Sequence, residues 1–277
     1  MSATAMSRAL NRLERELRTA LFHRTAQGLR PTPAGRALVR PAREVLHSAA
    51  VARSVVANVG GEVTGRLVIA TSGGAFGHLP GALGAFRRRH PAVRITIDEA
   101  TGESDVLHRL RTSRAELGFG YFYAEGPDAV SREFVCHRIG YDEIGLLVPA
   151  EWTGELTLDS LPDLPTIVPP AHAWARTAVE TSLRGVGAQT RLGVTTVHQH
   201  MRAPLVEHGF GMAWVSRGSR IDAAYPGATF RGLTPPLVLP ADLVHSRRRL
   251  TAAATAFVSA LRSAPPPRLT ATPADGG

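Results

Sequence analysis

Three clusters of residues in this chain have the types and spacing for chemistry. The first is Ser7, Arg8, Asn11 and Arg12, followed by Arg24. Short polar and Arg side chains near a helix start suit the edge of a nucleic-acid groove and its phosphate wall. The second is a set of short loops: Thr71-Ser72-Gly73-Gly74, Thr101-Gly102-Glu103-Ser104 and, later, Thr195-Thr196. Hydroxyls and free amides at such turns suit a carboxylate, although ordinary helix capping explains the same residue types. Arg202 or Arg217 could supply a counter-charge. The third is His198-Gln199-His200. Positions two apart do not face each other on a helix, so no metal is expected there, and no other cofactor is implied.

Other chemistries are excluded by what the 277 residues lack. All 32 basic residues are Arg, and no Lys occurs. That removes the P-loop Lys, the Schiff-base Lys, the kinase Lys and the Ser-x-x-Lys hydrolase. No Gly-x-Ser-x-Gly elbow is present, and Gly73 to Gly77 lacks dinucleotide-loop spacing. An enzyme is therefore not expected. A single cysteine, Cys136, excludes an intrachain disulfide and suits a reducing compartment; it is expected to pack as a small hydrophobe. With neither a signal-type apolar run nor a membrane-length one, a soluble cytoplasmic protein is expected.

Charge is uneven. Residues 1–66 hold 11 Arg against four acids, whereas the remainder holds 21 Arg against 19 acids. A basic module joined to a near-neutral one suggests that the first part meets nucleic acid. A merely solvated helix surface would show the same charge.

These residues need elements to hold them. Met6, Leu10, Leu13 and Leu17 make one apolar stripe, predicting a helix over 2–17 capped by Ser2 or Thr4. Apolar-tipped runs at 21–24 and 29–32 flank Gln27-Gly28 and predict a hairpin. Thr32-Pro33 opens a long helix whose Leu38, Ala42, Val45, Ala49, Ala52, Val56 and Val59 form a heptad seam. That seam predicts a dimer, with Pro41 expected to kink the helix or delay its start. Gly60-Gly61 closes it.

Beyond the glycines, strands are predicted at 66–70, 93–97, 117–122, 144–148, 190–194 and 211–215. Helices are predicted at 76–89, 106–114, 174–184, 198–208 and 250–262. The segment 165–170 is expected to cross between halves, and 237–239 and 243–244 to bracket Pro240. Alternation of this kind predicts a mostly parallel α/β sheet. Residues 263–277 are expected to be a disordered tail.

Ser7-Arg8 through Leu13-Glu14 to Leu17, then Leu21-Phe22-His23-Arg24-Thr25, then Leu29-Arg30-Pro31-Thr32-Pro33-Ala34-Gly35, resemble the DNA-binding segment of LysR-type transcriptional regulators. Leu79-Pro80, Phe86, His90-Pro91 and Gly209-Phe210-Gly211-Met212 extend the resemblance over residues 2–262. It implies a partial winged helix-turn-helix (1–36), a linker and dimerisation helix (37–61), a two-lobed effector domain like a periplasmic binding protein (62–262), and the tail. The implied partners are double-stranded DNA, a small-molecule effector and further copies of the chain, as a homodimer or homotetramer, with no membrane.

In that family further helices precede the Ser-Arg element, so the sequence is expected to be truncated ahead of it. The family's Gln-Pro is replaced by Ala3-Thr4, leaving Ser7 and Arg8 as base readers; Arg24 matches the wing Arg that grips phosphate. Asn11 and Arg12 complete the DNA set. Thr71, Ser72, Thr101, Gly102, Thr195 and Thr196 are implied to line the interlobe cleft, Ser72 foremost. The alternative is a ligand-binding or dominant-negative dimerisation module without productive DNA binding.

Overall fold

A computed structural model describes residues 2–25, 28–58, 61–72, 79–122, 127–171 and 174–263. Contacts divide the chain into two units, 1–53 and 54–277, which are taken one at a time. In the first unit, helix α1 spans Ala3–Leu17, with the Ser2 hydroxyl accepting from the Ala5 N–H at 3.3 Å. Strands β1 (Phe22–Thr25) and β2 (Gly28–Pro31) form an antiparallel hairpin. Helix α2 begins at Pro33 and runs to Asn58.

Two side chains tie these elements together. The Glu14 carboxylate accepts from the Leu21 and Phe22 N–H groups at 2.7 and 3.1 Å, fixing the hairpin to α1. The Thr32 hydroxyl donates to the Ala20 carbonyl at 2.8 Å and accepts from the Gly35 N–H at 3.0 Å, so it caps α2 and anchors it at once. Gly35 is required there: a Cβ would stand 2.0 Å from the Leu21 carbonyl oxygen. Pro41 does not delay the start of α2, which is continuous through it. Val59 and Gly60, at the end of the seam, lie outside the described residues, as do 73–78 and the tail from 264 onward.

The second unit is built on one mixed sheet of eight strands, in the order β4-β3-β5-β10-β6-β9-β7-β8. The strands are β3 (Gly65–Ser72), β4 (Val93–Ala100), β5 (Leu117–Gly120), β6 (Phe134–Pro149), β7 (Thr166–Val168), β8 (Leu192–Thr195), β9 (Met212–Ser216) and β10 (Ala228–Ser246). Two triplets, β4-β3-β5 and β8-β7-β9, are internally parallel. Four of the seven neighbouring strand pairs are parallel, and the sheet is mixed because β10 is antiparallel to both β5 and β6, and β6 is antiparallel to β9.

The helices are α3 (Leu79–Arg89), α4 (Glu103–Arg111), α5 (Pro127–Glu133), α6 (Trp174–Gly185), α7 (Arg202–Glu207) and α8 (Ala252–Ser263). The helix expected over 198–208 is confined to α7, preceded by a 3-10 turn at Gln199–Met201. Pro204 explains this, since Pro fits only the first turn of a helix. The crossing segment holds a strand, β7, and the bracketed pieces around Pro240 are one strand, in which Pro240 pairs with Tyr141 and register irregularities fall at Gly232/Leu237 and Ala241/Asp242. Cys136 lies exposed on β6 rather than in the core. Partial burial, then the Asp242 carboxylate, push its thiol up.

The register places the strand ends. Gly120, the last residue of β5, pairs with Asp242, which pairs with Arg138 of β6. Ser216, the last residue of β9, pairs with Ile144 of β6. Both parallel triplets therefore point their carboxyl ends at the middle of β6, from opposite directions. Between those levels the sheet narrows to β6 and β10 alone, a neck of ~20 Å at ~3.3 Å per residue.

Gly211 enters β9 at φ +131, where a Cβ would lie 1.9 Å from the Pro165 carbonyl oxygen. Gly211→Ala is expected to lower unfolding stability in urea by ~2–3 kcal/mol. Gly185→Ala, which meets nothing within 4 Å, should change it by less than ~0.5 kcal/mol.

Candidate functional site

Two sets of residues come together, one in each unit. On α1, Arg8, Asn11 and Arg12 are exposed and Ser7 is half-buried. At 3.6 residues per turn these four share a face roughly opposite the Met6, Leu10, Leu13, Leu17 stripe. Within the described residues that stripe is largely open, with Met6 55% exposed. Arg12 is paired with Glu16 at 2.9 Å, an exposed contact of little energetic weight. Arg24 stands exposed on β1 opposite Leu29. Arg8 and Arg24 have no ion-pair partner among the described residues. The result is a polar helix face and a basic hairpin in one unit, joined through Glu14.

The second set lies where the triplets converge. Ser72 pairs with Ala100, and Thr71 with Phe119, so the ends of β4, β3 and β5 form one row. Thr71 and Ser72 are each 1% exposed. The Ser72 hydroxyl has no hydrogen-bond partner among the described residues. It leans toward β5, where a Cβ on Gly120 would stand 2.8 Å from it, so glycine there gives the hydroxyl its room. Gly102, buried, precedes α4. Thr101 is otherwise engaged: its N–H and hydroxyl donate to Asp105 Oδ2 at 3.0 and 3.4 Å. Arg109, and to a lesser degree these bonds, hold the Asp105 carboxyl below its ordinary range against its partial burial.

Facing this row, Thr195 ends β8 exposed, and the Thr196 hydroxyl accepts from the His198 N–H at 3.0 Å. The rings of His198 and His200 lie 5.5 Å apart. Gly73 and Gly74 lie outside the described residues.

The two Arg candidates separate cleanly. Arg217 grips Glu143 through two bonds, at 2.6 and 3.0 Å, and lies over the Phe230 ring; its charge is already matched. Arg202 is 7% exposed and donates from Nη1 to the Trp214 carbonyl at 3.0 Å. Burial pushes its guanidinium down to about 10, which leaves it charged at neutral pH.

At the neck itself sits a network that the sequence did not expose. The buried Tyr121 hydroxyl, just past β5, donates to Asp142 Oδ2 on β6. The Gly218 N–H, just past β9, donates to Asp142 Oδ1 at 3.1 Å. Asp142, only 4% exposed, is thus held by both halves of the sheet. Burial, then the nearby Asp142 charge and the hydrogen bond to it, push the Tyr121 phenol well above its ordinary value; a weaker bond with Ser216 opposes them. Tyr121 follows a strand end just as Thr101 does, and that rule was the one signal that could have found it.

Known proteins match both units. Residues 60–266 match the LysR substrate binding domain, and residues 1–36 match the bacterial regulatory helix-turn-helix protein, lysR family. The HTH-type transcriptional regulator ShiR of Corynebacterium glutamicum (strain R) is 26% identical over 255 residues, covering 80% of this chain and 86% of ShiR. Full-length OxyR from Pseudomonas aeruginosa has a similar fold, with a TM-score of 0.74 at 16% identity, covering 97% of this chain and 91% of OxyR. Full-length CbnR complexed with its target DNA gives 0.67 at 19% identity, covering 95% and 90%. No described helix is long and apolar enough to cross a membrane.

Tyr121→Phe leaves the buried Asp142 carboxylate one donor short and is expected to lower stability by ~1.5–3 kcal/mol at neutral pH. Because the native phenol keeps its proton where the unfolded one loses it, this contribution is present below pH 10.0 and is lost as pH rises through the native value. Denaturation at stepped pH should therefore show the gap between the two proteins closing above pH 10.0.

Proposed function

The chain belongs to the LysR family of bacterial transcriptional regulators, and from that premise we propose which of its residues do the work. As a member of that family it is a DNA-binding regulator with an effector-binding domain, not an enzyme. The reading that omits productive DNA binding is not favoured, since residues 1–36 match the family's helix-turn-helix.

In this proposal α1 lies against double-stranded DNA. Ser7 and Arg8 read base edges, Asn11 and Arg12 border the groove, and Arg24 on the hairpin binds phosphate. Their grouping on the face opposite the apolar stripe supports this. Residues 1–36 are the DNA-binding region, 37–61 the linker and 62–262 the effector domain. The exposed seam on α2, with Val45 at 69% and Val56 at 73%, supports pairing with a second copy, as a homodimer or within a homotetramer.

The effector binds between the two rows of strand ends. Thr71, Ser72, Thr101 and Gly102 bound it on one side, and Thr195 and Thr196 on the other. The observation that carries this is the convergence of both parallel triplets on one neck of β6, the place where open α/β sheets take ligands. An effector with higher affinity for the closed arrangement shifts the population toward it and thereby changes DNA binding.

A salt titration of DNA binding tests the roles. Binding should be tighter to the duplex upstream of the chain's own gene than to an unrelated one, and should weaken steeply with salt. Arg24→Ala should weaken both duplexes alike and lower the salt slope by ~1, whereas Arg8→Ala should remove ~1–3 kcal/mol of discrimination. If the two variants behave identically, the assignment fails.

A further inference from the structure

We propose that Arg202 receives an oxyanion, a carboxylate or phosphate group, of a small molecule held in the cleft. This rests on the reading of the cleft as the effector site and names the chemistry of its ligand.

The argument begins with what a buried guanidinium needs. Enclosing a cation without a counter-charge is costly, so buried Arg residues are paired. This chain follows that rule elsewhere. The Arg109 side chain, 13% exposed, is matched by Asp98 at 2.5 Å and Asp105 at 2.8 Å. Arg202 is buried more deeply and breaks the rule. Among the described residues no carboxylate lies within ion-pair distance of it. Its one hydrogen bond goes to a neutral carbonyl, that of Trp214. Its Nε–H is enclosed and meets no acceptor. A guanidinium engaged at Nη1 alone retains the Nε edge, and such edges match the two oxygens of a carboxylate or phosphate.

Position supplies the second line. In the β8-β7-β9 triplet, Ile167 pairs with Ala213, and Val168 with Thr195. One step further along the same register, Trp214 falls level with Val168 and Thr195, the last residues of β7 and β8, and two residues before the end of β9. The guanidinium that reaches the Trp214 carbonyl is therefore at the border of the cleft, not at its closed end. At the end of β3, in the other triplet, the Ser72 hydroxyl is likewise buried and unpartnered among the described residues, a ready contact for the rest of the ligand.

The test uses the full chain and measures its thermal midpoint at constant ionic strength. Acetate, succinate, benzoate and inorganic phosphate are titrated, with acetamide and benzamide as uncharged controls. At least one oxyanion should raise the midpoint saturably, and the amides should not. Whether a carboxylate or phosphate does so separates the two sources. Arg202→Met should abolish that rise, weakening apparent affinity by at least about tenfold. Without anion its midpoint should stand ~2–6 °C above that of the unchanged protein, because an unmatched buried charge is gone. Arg202→Lys, which keeps the charge but not the fork, should retain a weakened response. A guanidinium that is only structural gives the opposite pattern: Arg202→Met lowers the anion-free midpoint. That outcome, an unchanged response in Arg202→Met, or no response of the unchanged protein to any oxyanion, overturns the proposal.

Binding to the upstream duplex, measured by fluorescence anisotropy with the stabilising anion, separates the two readings. If the anion binds through Arg202 yet leaves DNA affinity unaltered, the effector reading of the cleft fails and the anion site stands. If DNA affinity shifts equally in Arg202→Met, the anion site fails and the effector reading stands.

Discussion

The antiparallel ladder between β6 and β10 is the interaction on which the second unit depends. It runs from Phe134 paired with Ser246 to Pro149 paired with Ala228. Every other strand of the sheet hangs on it directly or through a neighbour. β5 joins the Ser246 end of β10, and β9 joins the Pro149 end of β6. Because those attachments lie on opposite sides and at opposite ends, and each is antiparallel, the two triplets run toward each other. The convergence of the strand ends is thus a result of hydrogen-bond register, before any side chain is considered. The side chains then specialise it: hydroxyls at the strand ends, and buried charge near the neck.

Three charged side chains, Asp142 and Arg202 buried and Arg109 half-buried, illustrate different answers to the same solvation problem. Arg109 is neutralised by two carboxylates of its own lobe. Asp142 is satisfied by a phenol and a main-chain N–H that come from opposite lobes, so its solvation depends on how the lobes are arranged. Arg202 has only a carbonyl within the described residues. The first is a local clamp. The second reports on domain geometry, and the third is an unmet electrostatic demand.

Local signals were legible in the sequence where the chain's neighbours are also its contacts. Ser2 caps α1 and Thr32 caps α2, because capping involves residues a few positions apart. The Leu-Glu pair and the Thr-Pro-Ala-Gly run were recognisable, and the structure supplies their physical reason in Glu14, Thr32 and Gly35. Long-range pairing was not legible. β10 looks broken by its prolines, and only its partner β6 shows that it is continuous. Arg217 and Arg202 were equivalent on paper; Glu143, more than seventy positions away in sequence, answers one and no described carboxylate answers the other. Tyr121 looks like a core aromatic until Asp142 is placed beside it. The convergence of the two triplets on β6 follows from register, which alternation of apolar residues does not encode.

The narrowing of the sheet to two strands has a mechanical consequence. Resistance of a sheet to twisting grows with the number of strands bonded side by side, so an applied torque concentrates its deformation in the slimmest section. Here that section comprises Gly140 to Glu143 with Val238 to Ala241. Relative rotation of the lobes can therefore proceed as torsion of a short ribbon. The Asp142 carboxylate lies on that ribbon and accepts one hydrogen bond from each side of it, from the Tyr121 hydroxyl and from the Gly218 N–H.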